Sequence, residues 1–396
     1  MARTAAIDRM LRSGNVPPAG WFSLGGMTRK GDTMNTRALL LMAALAGTML
    51  PAHAAEPAAK GAPVTAPVDV LDRPSQASAL ASRKLLLSVT RAGERLVAVG
   101  PRGHILVSTD GGQTWKQSQV PVSSDLTAVY FVNDKAGWAV GHDGVVLAST
   151  DGGDTWVKQL DGRAANALLV QSLKARVAAE PHSKELAALL TEAERYAEQG
   201  PDKPFLDVWF KDAQNGFVVG GYNLIFATRD GGKSWESWFD RADNPKLLNL
   251  YAVRPAAGSV YIAGEGGLVM KLDGERFRGV PVDYKGSLFG IADAGDAIIV
   301  FGLRGNAFRS DDGGKHWSKV DSQLAATIVS ATRTAKGTVL LADQGGRIAA
   351  SNDGGKNFSR LALAKTLPVT SILAAGDKLA LTGPMGVIVI EPPAAR

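Results

Sequence analysis

The sequence predicts an all-β protein, a seven-bladed β-propeller of four-stranded antiparallel blades, with a helical hairpin inserted between blades 2 and 3. Three observations carry this: a phrase repeated at nearly constant spacing, strand-like alternation between its copies, and one stretch where the apolar residues switch to helical spacing. The phrase, S-x-D-G-G-x-T-W, stands as STDGGQTW at 108–115, STDGGDTW at 149–156, TRDGGKSW at 228–235, SDDGGKHW at 310–317 and SNDGGKNF at 351–358. A decayed copy, KLDGERF, covers 271–277. From Asp110 through Asp151, Asp230, Asp273 and Asp312 to Asp353 the gaps are 41, 79, 43, 39 and 41 residues. Only the second gap breaks step, by a further period's worth of chain. A repeat of this length with strand-like text between copies predicts one four-stranded sheet per repeat.

Within each repeat a short apolar run, a turn, a run ending in Gly, a second turn and a third run lead into the motif. The second copy shows the order: LTAVYFV (126–132), NDKAG, WAVG (138–141), His142-Asp143-Gly144, VVLAST (145–150), and WVKQL (156–160) after the motif. β-Branched and aromatic residues alternating between Gly, Asn and Asp turns predict antiparallel hairpins. Blades are expected at 83–119, 126–160, 205–239, 248–280, 287–320, 325–361 and 368–390. The last ends before any motif, so it lacks its outermost strand. The stretch near Val64–Leu71 is expected to supply that strand, because a closed ring removes unpaired edges.

The motif residues have structural chemistry. An Asp opening a tight turn accepts hydrogen bonds from the turn's amides, and paired glycines adopt positive φ without a Cβ clash. The following aromatic ring has a large apolar area to bury. Asp110 and Trp115, Asp151 and Trp156, Asp230 and Trp235, Asp312 and Trp317, and Asp353 and Phe358 are therefore read as fold elements. None is a nucleophile or an acid set up for catalysis.

These are Asp-box, or BNR, repeats. The longer phrases AVGPRGHILVSTDGGQTW (98–115) and WAVGHDGVVLASTDGGDTW (138–156) resemble the photosystem II stability and assembly factor family over about residues 83–390. The resemblance implies an exported, non-enzymatic seven-bladed propeller that assists assembly of a membrane protein complex. Bacterial members of this domain family need not serve a photosystem, so the partner stays open.

Met34-Asn35-Thr36-Arg37, the apolar run ALLLMAALAGTML (38–50) and Ala52-His53-Ala54 compose a Sec-type signal peptide over 34–54. Its core is short for a membrane span. Residues 1–33 are expected to be a leader outside the native product, with translation starting at Met34, and 55–67 an Ala/Pro-rich tether ahead of a propeller at 68–396. The chain has no cysteine, which is compatible with a periplasmic protein held together by its core. The remainder is long enough for one large domain.

The strand pattern breaks at 161–203. AANALLVQSLKARVAAE and SKELAALLTEAERYAEQ carry apolar residues at helical spacing, separated by Pro181-His182 and closed by Gly200-Pro201, which places a helical insertion at 163–202. It joins the outermost strand of blade 2 to the innermost strand of blade 3, on the face that displays the second-to-third-strand turns. It is either a binding element or a lid packed on its own apolar stripe. The turns on that face place Arg102, His104, His142, Arg304 and Arg347 near one rim. With a formal charge of +6, that rim is the candidate partner-binding surface toward acidic loops or anionic lipid.

Asp boxes also occur in sialidases and some xyloglucan hydrolases, so a glycan-binding or glycan-cleaving propeller is the alternative reading. No F-R-I-P segment precedes blade 1, and the six tyrosines give no Tyr/Glu constellation. Asp207 and Glu265 are the acidic residues outside the motifs that could face the central channel. A third reading is an accessory protein of an envelope transporter. The histidines show no ligand spacing and the Gly-rich turns close hairpins without opening helices, so no metal, cofactor or nucleic acid is expected. The expected partner is a membrane protein complex or its periplasmic loops, met by a monomer at most peripherally attached to the membrane.

Overall fold

The computed structural model describes residues 68–392. The leader, signal peptide and tether expected at 1–33, 34–54 and 55–67 lie outside the described residues. Seven antiparallel sheets follow one another along the chain, six of four strands and one of three, each in sequential order. Blade 2 is typical: Leu126–Phe131, Gly137–Gly141, Val146–Ser149 and Val157–Leu160. The first strand of each blade lies beside the first strand of the next, and the series returns from Ser371–Ala375 of blade 7 to Ser88–Ala92 of blade 1. First strands therefore ring the axis.

Burial follows from side-chain alternation. Successive residues of a strand point to opposite faces, and in a propeller both faces meet a neighbouring blade. In blade 1, Val97 and Val99 pack toward blade 2 with Leu126, Val129 and Leu147, whereas Leu96 and Ala98 pack toward blade 7 with Ala380, Val387 and Val389. The apolar core is a set of seven such seams, one between each pair of adjacent blades. That is why inner strands such as Gly137–Gly141 and Ile298–Gly302 are buried at every residue.

The motif aromatics close these seams, and each reaches back to the preceding blade. Trp156 of blade 2 joins the blade 1–2 seam and meets Phe131 edge-on at 5.8 Å. Trp235 of blade 3 lies in the blade 2–3 seam, edge-on to Phe210 at 6.2 Å. Trp115, Trp317 and Phe358 repeat the arrangement in the blade 7–1, 4–5 and 5–6 seams. The decayed copy in blade 4 has no such box. There the chain reverses directly between paired Asp273 and Arg276, with Gly274 at φ 58°.

One expectation is corrected. Val68–Leu71 does not complete blade 7, whose sheet is Ser371–Ala375, Lys378–Gly383 and Gly386–Ile390. The segment is held at blades 1 and 2 instead. Ser123 N donates to Val70 O at 2.8 Å, Ser75 N to Val120 O at 3.0 Å, and Leu71 is 1% exposed within the blade 1–2 seam. Blade 7 meets blade 1 through side-chain packing, with Leu86 N donating to Gly383 O at 3.1 Å and Thr370 Oγ1 to Leu86 O at 2.7 Å. Positions 64–67 lie outside the described residues.

The insertion is a helical hairpin, α1 (Gly162–Ala179) and α2 (Lys184–Gln199). Asp161 caps α1 by accepting from Arg163 N and Ala164 N, and Ser183 caps α2 by accepting from Leu186 N. The apolar stripe, with Leu169, Leu173, Leu186 and Tyr196, is buried in the blade 2–3 seam. Among the described residues no helix is long and apolar enough to cross a membrane.

Because Trp156 fills a seam and is only 4% exposed, Trp156→Ala is expected to cost about 3–5 kcal/mol in equilibrium denaturation. Trp156→Phe, which keeps a ring in place, should cost markedly less. Equal losses for the two variants would show that the ring does not carry the seam.

Candidate functional site

Two sets of turns stand at opposite ends of the third strands: the Asp boxes at the C-terminal end in blades 1, 2, 3, 5 and 6, and the rim turns at the N-terminal end. The Asp boxes are internally satisfied. In blade 1, Ser108 Oγ donates to Asp110 Oδ1 at 2.8 Å and accepts from Gly112 N at 2.8 Å, while Thr114 donates to Asp110 through its amide and hydroxyl. Blades 2, 3, 5 and 6 repeat this with Ser149/Asp151/Thr155, Thr228/Asp230/Ser234, Ser310/Asp312/His316 and Ser351/Asp353/Asn357. Paired glycines such as Gly111 and Gly112, at φ 71° and 90°, bring the amides round to the carboxylate.

These donors favour the ionised carboxylate. The Thr114 hydroxyl and amide, with Ser108, hold Asp110 at about 2, and Ser234 does the same for Asp230. Asp312 is lowered by the amide and ring of His316, and Asp353 by the amide and side chain of Asn357. For Asp151 burial opposes the shift, and the Thr155 hydroxyl and amide outweigh it. The boxes leave no carboxylate poised for proton transfer near neutrality.

The rim turns share a different geometry. In blades 1 to 5 two consecutive turn residues lie in the left-handed region, the first of them at the apex: Arg102 (φ 59°), Asp143 (58°), Tyr222 (55°), Gly266 (65°) and Arg304 (56°), each followed by Gly or, in blade 3, by Asn223 (66°). Glycine is the residue that adopts this backbone freely, and an L side chain there costs roughly 1 kcal/mol or more. Blade 4 uses Gly, whereas four blades hold Arg, Asp, Tyr and Arg at the same place. Neighbouring blades tie the apices down: Asp125 Oδ1 accepts from Arg102 N at 2.7 Å, and Asn249 Oδ1 from Tyr222 N at 2.9 Å.

The residues selected from sequence divide accordingly. Arg102 and Arg304 are exposed at their apices and form no ion pair among the described residues. Arg347 is exposed but pairs at 3.4 Å with Asp343, whose side chain is fully buried. His104 is half-buried just after its turn, and burial lowers its pKa. His142 opens the blade 2 turn, where its amide donates to Asp125 O at 2.8 Å. The rim is mixed in charge, since Asp143 and Glu265 stand among the arginines.

Sequence reasoning passed over the apolar apices. Tyr222 is 49% and Met385 64% exposed, two of the five exposed large apolar side chains among the described residues, and both occupy rim turns. Both turns were visible as GGYN and GPMG, but selection by charge ignored them. The insertion flanks Tyr222: Tyr196 of α2 lies 5.9 Å from it ring to ring, and Lys203 Nζ is 5.0 Å from the Tyr196 ring and 6.0 Å from that of Tyr222. At blade 2, a Cβ on Gly144 would come within 2.6 Å of Gly162 Cα, so α1 starts directly against that rim turn. The insertion and the rim turns form one surface.

The carboxylates named for glycoside cleavage are engaged elsewhere. Asp207 is buried, accepts from Val253 N at 2.9 Å and pairs with Arg254 at 2.6 Å, tying blade 3 to blade 4. Burial raises its pKa against the pull of Arg254. Glu265 accepts from Asn249 Nδ2 at 2.9 Å.

A family model described as photosynthesis system II assembly factor YCF48 matches residues 76–179 and 191–346, passing over the link between α1 and α2 and the first part of α2. A photosystem II assembly lipoprotein Ycf48 from Synechococcus sp. (strain CC9902) is 28% identical over 155 residues, 39% of this chain and 35% of that relative's length. Among solved structures, YCF48 bound to a D1 peptide superposes with a TM-score of 0.56 at 17% identity, covering 78% of this chain and 93% of that one. YCF48 from Cyanidioschyzon merolae gives 0.57 at 18% identity, covering 82% and 99%. The WD40 propeller domain of Doa1 gives 0.55 at 8% identity, covering 82% and 97%, a likeness of fold alone.

The Asp-box carboxylates set an acid limit. Asp110 and Asp230 fall from 3.8 to about 2 on folding, so their contribution is complete above about pH 4 and is lost as pH drops through about 2. Acid titration followed by Trp fluorescence should show stability falling across that window. The pair Asp110→Asn and Asp230→Asn should be less stable at neutral pH and flatter between pH 4 and 2; an unchanged acid slope would place the linked protons elsewhere.

Proposed function

Because the chain belongs to the photosynthesis system II assembly factor YCF48 family, we propose that it is an exported scaffold that assists assembly or stability of a membrane protein complex. It does so by holding an extended segment of a membrane partner against the rim face that carries the insertion. The observation supporting this most strongly is the set of left-handed apices bearing side chains. Arg102, Tyr222 and Arg304 stand where glycine would relieve the backbone.

The chemistry of the surface fits a peptide better than a small molecule. Two unpaired guanidinium groups offer charge-assisted donors to carboxylates, and Tyr222 and Met385 offer apolar anchors between them. A relative in this family has been solved with a D1 peptide, and an acidic or carboxylate-ended segment suits this rim in the same sense. The periplasmic face of the membrane is the proposed place of action, from the signal-like segment at 34–54.

The insertion contributes from a fixed position. With Leu169 and Tyr196 buried in the blade 2–3 seam, α1 and α2 are part of the scaffold, and removal of the hairpin would uncover that seam. Point changes on the rim are the cleaner probe.

Photo-crosslinking from positions 222 and 304 in the native envelope membranes is expected to join this chain to one integral membrane complex. The double change Arg102→Glu and Arg304→Glu should reduce that capture, and binding of a D1 peptide, by roughly tenfold or more while leaving the thermal midpoint near wild type. Undiminished capture by the double variant would remove the rim from the interface. Absence of any membrane protein among the products would overturn the assembly role.

A further inference from the structure

Blade 7 ends on a strand unlike the third strands of blades 1, 2, 3 and 6. Ile105–Ser108, Val146–Ser149, Ile225–Thr228 and Ile348–Ser351 are buried at every residue, each covered by a fourth strand. Among the described residues Gly386–Ile390 has no fourth strand beside it, and Val387, Ile388, Val389 and Ile390 are all half-exposed. Its inner side pairs with Lys378–Gly383, from Gly383↔Gly386 to Leu379↔Ile390. Its outer side makes no backbone hydrogen bond among the described residues. Natural proteins blunt a free edge with a charge, a proline or a bulge, yet this one reads Val-Ile-Val-Ile.

The chain's neighbouring segments are poor candidates to fill that edge. Glu391-Pro392-Pro393 follows directly, and proline cannot donate to a strand ladder. The segment ahead of Val68 is rich in Ala and Pro, and residues 70–78 are tied to blade 1, where Gln117 accepts from Ser78 N and donates to Gln76 O.

We propose that two copies of this chain pair through these edges, Gly386–Ile390 of one antiparallel to Gly386–Ile390 of the other about Ile388. The charges at the two ends of the strand select a second copy as the occupant. Arg83 stands at the Gly386 end, its Cα 3.0 Å from where a Gly386 Cβ would lie, with exposed Lys84 next to it. Glu391 is exposed at the Ile390 end. None of the three forms an ion pair among the described residues. Antiparallel pairing about Ile388 sets residue 391 of one copy opposite residue 385 of the other, so each Glu391 reaches the Arg83 and Lys84 end of its partner. The edge is thus complementary to itself in length, hydropathy and charge, as an isologous two-fold contact requires.

The test is sedimentation equilibrium of the mature chain across the micromolar to millimolar range, with hydrogen exchange of 387–390 measured alongside. Wild type is expected to dimerise, and protection of 387–390 to rise with protein concentration. Arg83→Glu or Glu391→Arg alone should weaken association by roughly tenfold, and the two together should restore it, since the swap re-forms both pairs. Both positions are on the surface, so melting of the variants should match wild type. A wild type that stays monomeric throughout overturns the proposal. So does dimerisation indifferent to both swaps, or protection of 387–390 that appears in a monomer only when membranes are added, which would assign the edge to a partner's strand. The charge swap leaves Arg102 and Arg304 themselves unchanged, so the rim reading is judged separately by the crosslinking from positions 222 and 304.

Discussion

The structure depends on a carboxylate that turns a hairpin inward. In each Asp box the side chain gathers amide and hydroxyl donors on one anion, fixing the turn so that the next ring points into the preceding blade. Blades have few other reasons to hold a mutual angle. Apolar faces are interchangeable along a strand, and sheet stacking alone tolerates sliding. The box sets the placement of one large ring in five of the seven seams, and the seams then define the ring. Blade 4 shows the limit of this requirement: without a box, Phe277 fills its seam from a plain hairpin, backed by Trp238 and Phe217.

A scaffold locked in this way leaves the opposite end of the third strands free to vary. The apex backbone of each rim turn is fixed by main-chain contacts and by acceptors from the next blade, as Asn249 does for Tyr222. The identity of the apex side chain is therefore uncoupled from the fold. Arg, Asp, Tyr and Gly occupy one backbone geometry, so the side chain there can change without re-engineering a seam.

Most of the fold was legible because propeller physics is written in repeats. The gaps between motif aspartates gave the blades, and the loss of period two at 161–203 gave the hairpin, whose helices fall at 162–179 and 184–199. The placement of Val68–Leu71 was not legible. A short apolar segment such as Val68-Asp69-Val70-Leu71 suits any vacant seam or edge, and the choice of blades 1 and 2 is made by tertiary partners, Ser123, Val120 and the pocket around Leu71. The geometry of the proposed rim surface was legible in part. Charge drew attention to Arg102 and Arg304, but the left-handed backbone that singles out the apex, and Tyr222 with it, has no composition signal when the residue is not glycine.

The seam between blades 7 and 1 carries a further consequence, for the order in which the molecule is made. Among the described residues no strand is shared between the first and last sheets, so the strand ladder of blade 1 pairs without the far end of the chain, which adds the contacts of Leu86 with Gly383 and Thr370. Its face toward blade 2 is covered as soon as blade 2 exists, and stacking can proceed blade by blade behind the emerging chain. The face formed by Leu96, Ala98 and Leu106 stays open until blade 7 arrives. In chain order that face is the last to be sealed, and it is the place where premature contact with another emerging chain has the longest time to occur.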